Sequence, residues 1–174
     1  ILSQKIKKEN NEIELSKNIN EGEMTEKDIL NASLLNATRY QAPIEVIQYL
    51  LDSGADVNTK DKDGRTPFIW ASLDNADPQT LDLLIKYGAR INARDSRGRS
   101  AIYYASGSDN KIEIIQKLID LGIDLQNEGM GGITPLDYAS MVSKKDENNN
   151  SASELIKKYN GLHNRHGRME ECQF

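Results

Sequence analysis

Residues 61–95 read DKDGRTPFIWASLDNADPQTLDLLIKYGARINARD, and the predicted fold depends on this stretch. A charged turn leads to Thr66 and Pro67, a typical helix start, because threonine can cap the first turn and proline needs no amide there. A second apolar run, residues 81–85, ends at Gly88, where glycine suits the end of a helix. The stretch therefore predicts two short helices joined by a loop.

The landmarks of this stretch recur at a step of 34 residues along the chain. The recurring positions are the turn glycines Gly64, Gly98 and Gly132, the small residues Ala71, Ala105 and Ala139, and the loop glycines Gly54, Gly88 and Gly122. A fixed period of this length is typical of a stacked array, in which each unit buries its apolar face against its neighbours. The alanine column predicts that two antiparallel helices approach closely in each unit.

The period divides the chain into about five units and a tail. Leu15 and Ile19 share one helical face and Gly22 follows them, so the first unit is predicted to be a degenerate N-terminal cap. The predicted divisions are this cap at 1–25, repeats at 26–60, 61–94 and 95–128, a C-terminal capping repeat at 129–160 with a polar insertion at 143–151, and a tail without repeat pattern at 161–174.

Two patterns in this unit resemble the ankyrin repeat. They are Asp61-x-x-Gly64-x-Thr66-Pro67-Phe68-x-x-Ala71 and Leu84-Ile85-x-x-Gly88-Ala89-x-x-Asn92. The resemblance implies an all-α solenoid of helix–loop–helix units with short β-hairpin fingers, whose concave face and fingertips are offered to another protein. It also implies that Asn58 and Asn92 stabilise turns.

The chain departs from the family pattern in three ways. Its period is one residue longer than usual, and the extra residue falls between the helices near Ala42, Asp77 and Asn110. Ala101 replaces the proline of the Thr-Pro pair. The family's histidine is absent, and Ile69, Tyr103 and Asp137 stand in its place.

Composition and motifs argue against several classes of function. A formal net charge of −5 gives no global reason to expect nucleic-acid binding, and no apolar run is long enough to span a membrane. The histidines, His163 and His166, lie near Cys172, but a structural zinc site needs a fourth ligand and none is evident. The glycine-rich residues 129–132 lack the lysine of a phosphate loop. The sequence therefore predicts no enzyme activity, no cofactor and no metal.

The repeat register places the variable positions at the fingertips and on the first helices. The predicted partner-binding residues are Lys60, Lys62, Arg65, Ile69, Leu73, Arg94, Arg97, Arg99, Tyr103, Met130 and Ile133. Because the central fingers are basic in an acidic protein, they are predicted to attract an acidic segment of a partner, with arginines contacting carboxylates. Ordinary solubility charge is the alternative.

An aromatic column, Trp70, Tyr104 and Tyr138, follows the same step. The rings are predicted to stack along the array and to fill the space between first helices, with an exposed binding strip as the alternative. Tyr103 and Leu73 are predicted to be the exposed contacts beside this column.

The sequence thus predicts a monomeric, non-catalytic scaffold that binds another protein. Because the chain begins with Ile1 instead of methionine, it is expected to be trimmed. A targeting module of a larger enzyme, or a secreted bacterial effector, therefore stays open as an alternative, with nucleic-acid binding as a weaker third. The expected compartment is the cytoplasm, with the bacterial periplasm and delivery to a host also open.

Overall fold

A computed structural model of the protein describes residues 24–73, 77–107, 112–126, 129, 131–142 and 152–166. In this part of the chain all regular secondary structure is α-helical. The helices are α1 (Glu26–Arg39), α2 (Ile44–Asp52), α3 (Pro67–Ala71), α4 (Pro78–Lys86), α5 (Ala101–Ala105), α6 (Ile112–Asp120), α7 (Pro135–Val142) and α8 (Ala152–His166).

The helices form two layers. The first helices of the units, α1, α3, α5 and α7, pack side by side in one layer. The second helices, α2, α4, α6 and α8, do the same in the other layer, and each packs against the first helix of its own unit. This arrangement confirms the predicted all-α architecture. The predicted N-terminal cap lies outside the described residues, so the count of five units remains a prediction.

The core lies between the two layers. Its central side chains expose at most 1% of their surface to solvent. They are Phe68 and Ile102 on the first helices and Leu84 and Ile115 on the second helices. Burying one such side chain stabilises the fold by about 1.5–3 kcal/mol. The residues of the alanine column, Ala71, Ala105 and Ala139, are also buried, as their small size predicts.

Local signals set the helix boundaries. The Thr66 hydroxyl accepts a hydrogen bond of 3.3 Å from the Ile69 amide, and Pro67 is the first residue of α3, as predicted. Helix α2 begins directly after Pro43, which stands at the N-cap position and makes no side-chain cap hydrogen bond. Helix α8 continues to His166, beyond the predicted start of the tail, because no helix-breaking residue other than Gly161 interrupts it.

The fingers are tight turns, and no strand is present in the described ranges, so the β-hairpin ladders implied by the resemblance are not seen. We call residues 61–65 the first finger and 95–99 the second. The first is closed by a backbone hydrogen bond of 3.0 Å from the Asp61 amide to the Arg65 carbonyl. The Asp61 carboxylate accepts the amides of Asp63 and Arg65, which a ladder would otherwise use. The second finger repeats this arrangement around Asp95.

Asparagine side chains tie each unit to the next. The carbonyl oxygen of the Asn58 side chain accepts the Arg90 amide at 2.9 Å, and its amide group donates to the Gly88 carbonyl at 3.0 Å. Asn92 accepts the Asp124 amide at 2.9 Å, one unit further along. The turn-stabilising role predicted for these two asparagines is confirmed.

Two equivalent helix caps differ in a way that predicts unequal stability effects. Thr66 caps α3 through its hydroxyl, whereas the buried Ser100 hydroxyl before α5 has no hydrogen-bond partner among the described residues. We expect Thr66→Ala to lower the free energy of unfolding by about 1 kcal/mol, as the loss of a helix cap does. Ser100→Ala should cost clearly less, because it removes no hydrogen bond. Urea unfolding followed by circular dichroism measures both, and equal losses would contradict the assignment of the caps.

Candidate functional site

The fingertips carry cations that face solvent. Lys60, Lys62, Arg94 and Arg97 are exposed, and no carboxylate in the described ranges forms an ion pair with them. The ammonium group of Lys60 donates to the Arg94 carbonyl at 3.2 Å, so it bridges the starts of two successive fingers. The structure therefore brings these four predicted residues to one edge of the array.

Arg99, also predicted as a fingertip contact, turns inward instead. Its guanidinium pairs with the Asp95 carboxylate, with one terminal nitrogen at 3.0 Å and Nε at 3.1 Å from the same oxygen. The guanidinium also lies over the Tyr104 ring, 4.7 Å from its centroid. Because its charge is already compensated, Arg99 is a structural residue of the second finger.

Asp95 is the buried centre of the second finger. Its side chain is fully buried and accepts hydrogen bonds from two finger amides, at 2.8 and 2.9 Å, and from the Tyr104 hydroxyl at 2.5 Å. Burial alone would raise the pKa of the Asp95 carboxyl. The hydrogen bonds from Tyr104, the amides and Arg99 outweigh burial, so this pKa lies below its ordinary value. Burial and the bond to Asp95 raise the pKa of Tyr104.

Arg65 is the equivalent of Arg99 in the first finger, but its contacts differ. It lies over the Trp70 ring at 4.7 Å and near the Tyr104 ring at 5.4 Å, and its Nε donates to the Tyr104 hydroxyl at 3.2 Å. The Trp70 indole N–H donates to the second carboxylate oxygen of Asp61 at 2.9 Å. Arg65 thus links the first finger to Tyr104 of the next unit. Its side chain is only half-exposed.

The aromatic column is therefore packed differently from the prediction. Arg65 contacts both Trp70 and Tyr104, and the parallel stack of rings is formed by Tyr103 and Tyr138, with centroids 4.6 Å apart and planes at 9°. The reason is that a half-buried Trp or Tyr must satisfy its polar atom, and the finger aspartates draw the rings toward them. Tyr104 contacts Arg65 of the preceding unit and Tyr138 contacts Tyr103 of the preceding unit, so both rings lie at contacts between successive units.

Two predicted contact residues are buried. Ile69 has no exposed surface and Tyr103 is 9% exposed, so the prediction that Tyr103 would be an exposed contact is wrong. The ring of Tyr103 is covered by the stacked ring of Tyr138 from the next unit. Leu73 and Ile133 are half-exposed, and Met130 lies outside the described residues.

Comparison with protein families identifies the array. The model for ankyrin repeats, which contains three copies of the repeat, matches residues 34–129, more than half of the 174 residues. The chain belongs to the ankyrin-repeat family. Ankyrin repeats generally mediate protein–protein interactions and are typically non-catalytic. A search of curated proteins finds no match to this chain.

The ankyrin array has a further exposed cation that the sequence reasoning missed. Arg39, in the last turn of α1, lies over the Trp70 ring at 4.8 Å and over the Tyr40 ring at 5.3 Å. Tyr40 is 71% exposed. Arg39 stands one repeat before Leu73, so carrying the same register back by 34 residues would have found it.

The described part of the array offers no metal site and no membrane span. No group of three or more His, Cys, Asp or Glu side chains in it is placed to hold a metal ion. The structure describes the backbone of His163 and His166 as part of α8, but it does not describe their side chains. Cys172 lies outside the described residues. Within the same ranges, no helix combines the length and apolar character needed to cross a bilayer.

Proposed function

We propose that this ankyrin array is a non-catalytic scaffold that binds an acidic segment of a partner protein through its fingertips and its first-helix face. The observation that carries the proposal is an exposed cationic edge on two successive fingers and the residues directly before them, formed by Lys60, Lys62, Arg94 and Arg97. We call these four residues the cationic edge. The protein has a net charge of −5, so positive charge concentrated at one edge favours the binding of a negatively charged partner at that edge.

The cationic edge is held rigid by contacts between the fingers. The Ser96 amide of the second finger donates to the Asp63 carbonyl of the first at 2.8 Å. The bond from Lys60 to the Arg94 carbonyl adds a second link. A surface ordered before binding loses less conformational entropy when a partner docks, which increases affinity.

The internal ion pair of Arg99 and Asp95 makes Arg99 unsuitable for a test of binding. Reversing the charge of Arg99 would place two carboxylates together in a buried finger and would damage the fold. Lys62, Arg94 and Arg97 are exposed and lack such pairs in the described ranges, so their reversal tests binding separately from folding.

The experiment is affinity capture followed by mass spectrometry, with the wild type compared with the triple variant Lys62→Glu, Arg94→Glu, Arg97→Glu. The matched control is Lys27→Glu, Lys157→Glu, Lys158→Glu, which changes net charge equally at exposed positions on α1 and α8. We expect a captured protein to bind the fingertip variant at least about tenfold more weakly than the wild type at low salt, and we expect this difference to shrink as salt is added. The control variant should bind it as the wild type does.

Two outcomes would contradict this proposal. If the fingertip and control variants retained the partner equally, the cationic edge would be ordinary surface charge. If both lost it equally, the partner would respond to net charge alone. Circular dichroism of each variant checks that the helices are intact.

A further inference from the structure

Two arginines share one aromatic ring at the N-terminal end of the first-helix layer. The guanidinium carbon of Arg39 lies 4.8 Å from the Trp70 ring centroid, and that of Arg65 lies 4.7 Å from it. Both distances are within the range of favourable cation–π contact. Arg39 comes from α1 and Arg65 from the first finger, so the pair forms only when two successive units stack.

Neither arginine of this pair has a carboxylate partner among the described residues. The contrast with the next unit is direct, because Arg99 occupies the equivalent position to Arg65 and is compensated by Asp95. In the first finger the free oxygen of the equivalent aspartate, Asp61, is taken by the Trp70 indole. Arg65 uses its Nε on Tyr104 instead, and no hydrogen bond in the described ranges uses its terminal nitrogens.

The second finger shows what such an arginine binds. There a guanidinium held over the Tyr104 ring engages one carboxylate oxygen through two nitrogens. An aromatic ring below a guanidinium leaves the N–H groups of its plane directed outward, and these match the oxygens of a carboxylate. The Trp70 pair also has guanidinium groups over an aromatic ring, but the chain supplies no acid for them in its described part.

We propose that Arg39 and Arg65, held against the indole of Trp70, bind two carboxylate side chains of an extended acidic peptide segment. This inference rests on the proposed function and names the partner chemistry of one part of that surface.

The separation of the two guanidinium groups suits an extended peptide. Because both lie within 4.8 Å of one ring centroid, they are no further apart than twice that distance. In an extended chain, side chains two residues apart point to the same side and are about 7 Å apart. Acidic residues at alternate positions would therefore reach both arginines. Tyr40 lies beside Arg39 and is exposed, so it adds an apolar wall for the segment's other side chains.

The protein contains a single tryptophan, so its fluorescence reports on this site alone. The probe is a hexaglutamate peptide, titrated into the whole chain at low salt while Trp70 emission is recorded. We expect a saturable change in emission that weakens as salt is added. A hexalysine peptide, with the same length and opposite charge, should give no saturable change.

Three variants localise the effect. Arg39→Gln and Arg65→Gln should each weaken hexaglutamate binding by about tenfold, the loss expected for one charge-assisted pair. Arg90→Gln is the matched control, because it removes an exposed arginine that makes no ring contact in the described part of the chain. It should leave binding within about twofold of the wild type. Arg39 is exposed and outside the core, so its variant remains informative if Arg65→Gln is less stable.

Several results would overturn the inference. If hexaglutamate bound and the fingertip variant lost it, while Arg39→Gln and Arg65→Gln did not, the cationic edge alone would carry the interaction and the proposed function would stand. If hexaglutamate did not bind at low salt, the acidic-peptide assignment would fail, and protein capture would still test the scaffold role. If an oligothymidylate bound as tightly as hexaglutamate, the pair would recognise nucleic-acid phosphate and not carboxylates.

Discussion

Asp95→Ala is expected to lower the free energy of unfolding by about 3–5 kcal/mol. The substitution leaves the Arg99 guanidinium, which is only 19% exposed, without its buried counter-ion. It also removes the acceptor of the Tyr104 hydroxyl and of two finger amides. The uncompensated buried charge and the unsatisfied donors both destabilise the folded state, so the loss of unfolding free energy should exceed that of an ordinary polar substitution. Urea unfolding at neutral pH measures it.

The equivalent substitution in the first finger is the control. Asp61 accepts two amides and the Trp70 indole, but it is half-exposed and forms no ion pair in the described ranges. We therefore expect Asp61→Ala to cost clearly less than Asp95→Ala. Equal losses would mean that the buried ion pair adds nothing to the second finger.

The stability due to Asp95 should also depend on pH. Its folded-state pKa lies below the unfolded value of about 3.9. For a carboxyl with a lowered pKa, the stabilisation is complete above the unfolded pKa and is lost as pH falls through the folded pKa. The difference in stability between the wild type and Asp95→Ala should therefore be constant near neutrality and shrink below about pH 4. A difference that stayed unchanged in acid would contradict an ionised Asp95.

Gly64→Ala is expected to destabilise the array by about 2–5 kcal/mol, for two reasons that add. Gly64 has φ of +78°, a left-handed conformation that costs a residue with a side chain about 1–2 kcal/mol. A Cβ atom at this position would lie 2.7 Å from both the amide nitrogen and the hydroxyl of Ser96. Backbone cannot yield as a flexible side chain does, so the two fingers would have to separate.

Gly88→Ala isolates the first of these reasons, the conformational cost. Gly88 has φ of +85°, yet nothing lies within 4 Å of a Cβ atom built on it. It should therefore show only the conformational cost, about 1–2 kcal/mol. If the two alanine variants were equally stable, the close contact between fingers would be absent. Thermal or urea unfolding of the pair decides this.

The Gly64 contact also connects stability to the binding surface. The clash falls on Ser96, whose amide bonds Asp63 and so fixes the second finger to the first. A Gly64→Ala protein that still folds should hold the cationic edge less rigidly. The same glycine is thus required for the turn, for the packing of the fingers and for the ordered surface.

Much of the fold could be predicted because its signals are local. Thr66 and Pro67 start a helix wherever they occur in this register, and Gly88 ends one, so the boundaries follow from a few adjacent residues. The alanine column predicted close helix packing because small size is the property that such packing needs. Repetition made these weak signals strong, since each recurs at the same step in successive units.

The candidate site could be predicted only in part. Lys62, Arg94 and Arg97 are exposed where the register places fingertips. Ile69 and Tyr103 are buried, and the ring of Tyr103 is covered by Tyr138 of the next unit. The burial of Tyr103 therefore depends on a neighbouring unit, which its own segment does not reveal.

The sequence by itself determined the all-α repeat architecture, the start of α3 at Pro67 and the edge on which the fingers lie. Only the tertiary structure decided which arginines remain available. Arg65 and Arg99 are 34 residues apart and occupy the same position in their units, yet one pairs with an aspartate and the other rests between Trp70 and Tyr104. In the first finger the Trp70 indole takes the Asp61 oxygen that corresponds to the one Arg99 uses on Asp95, and Arg65 reaches the Tyr104 hydroxyl of the next unit. That contact exists only where the two units stack.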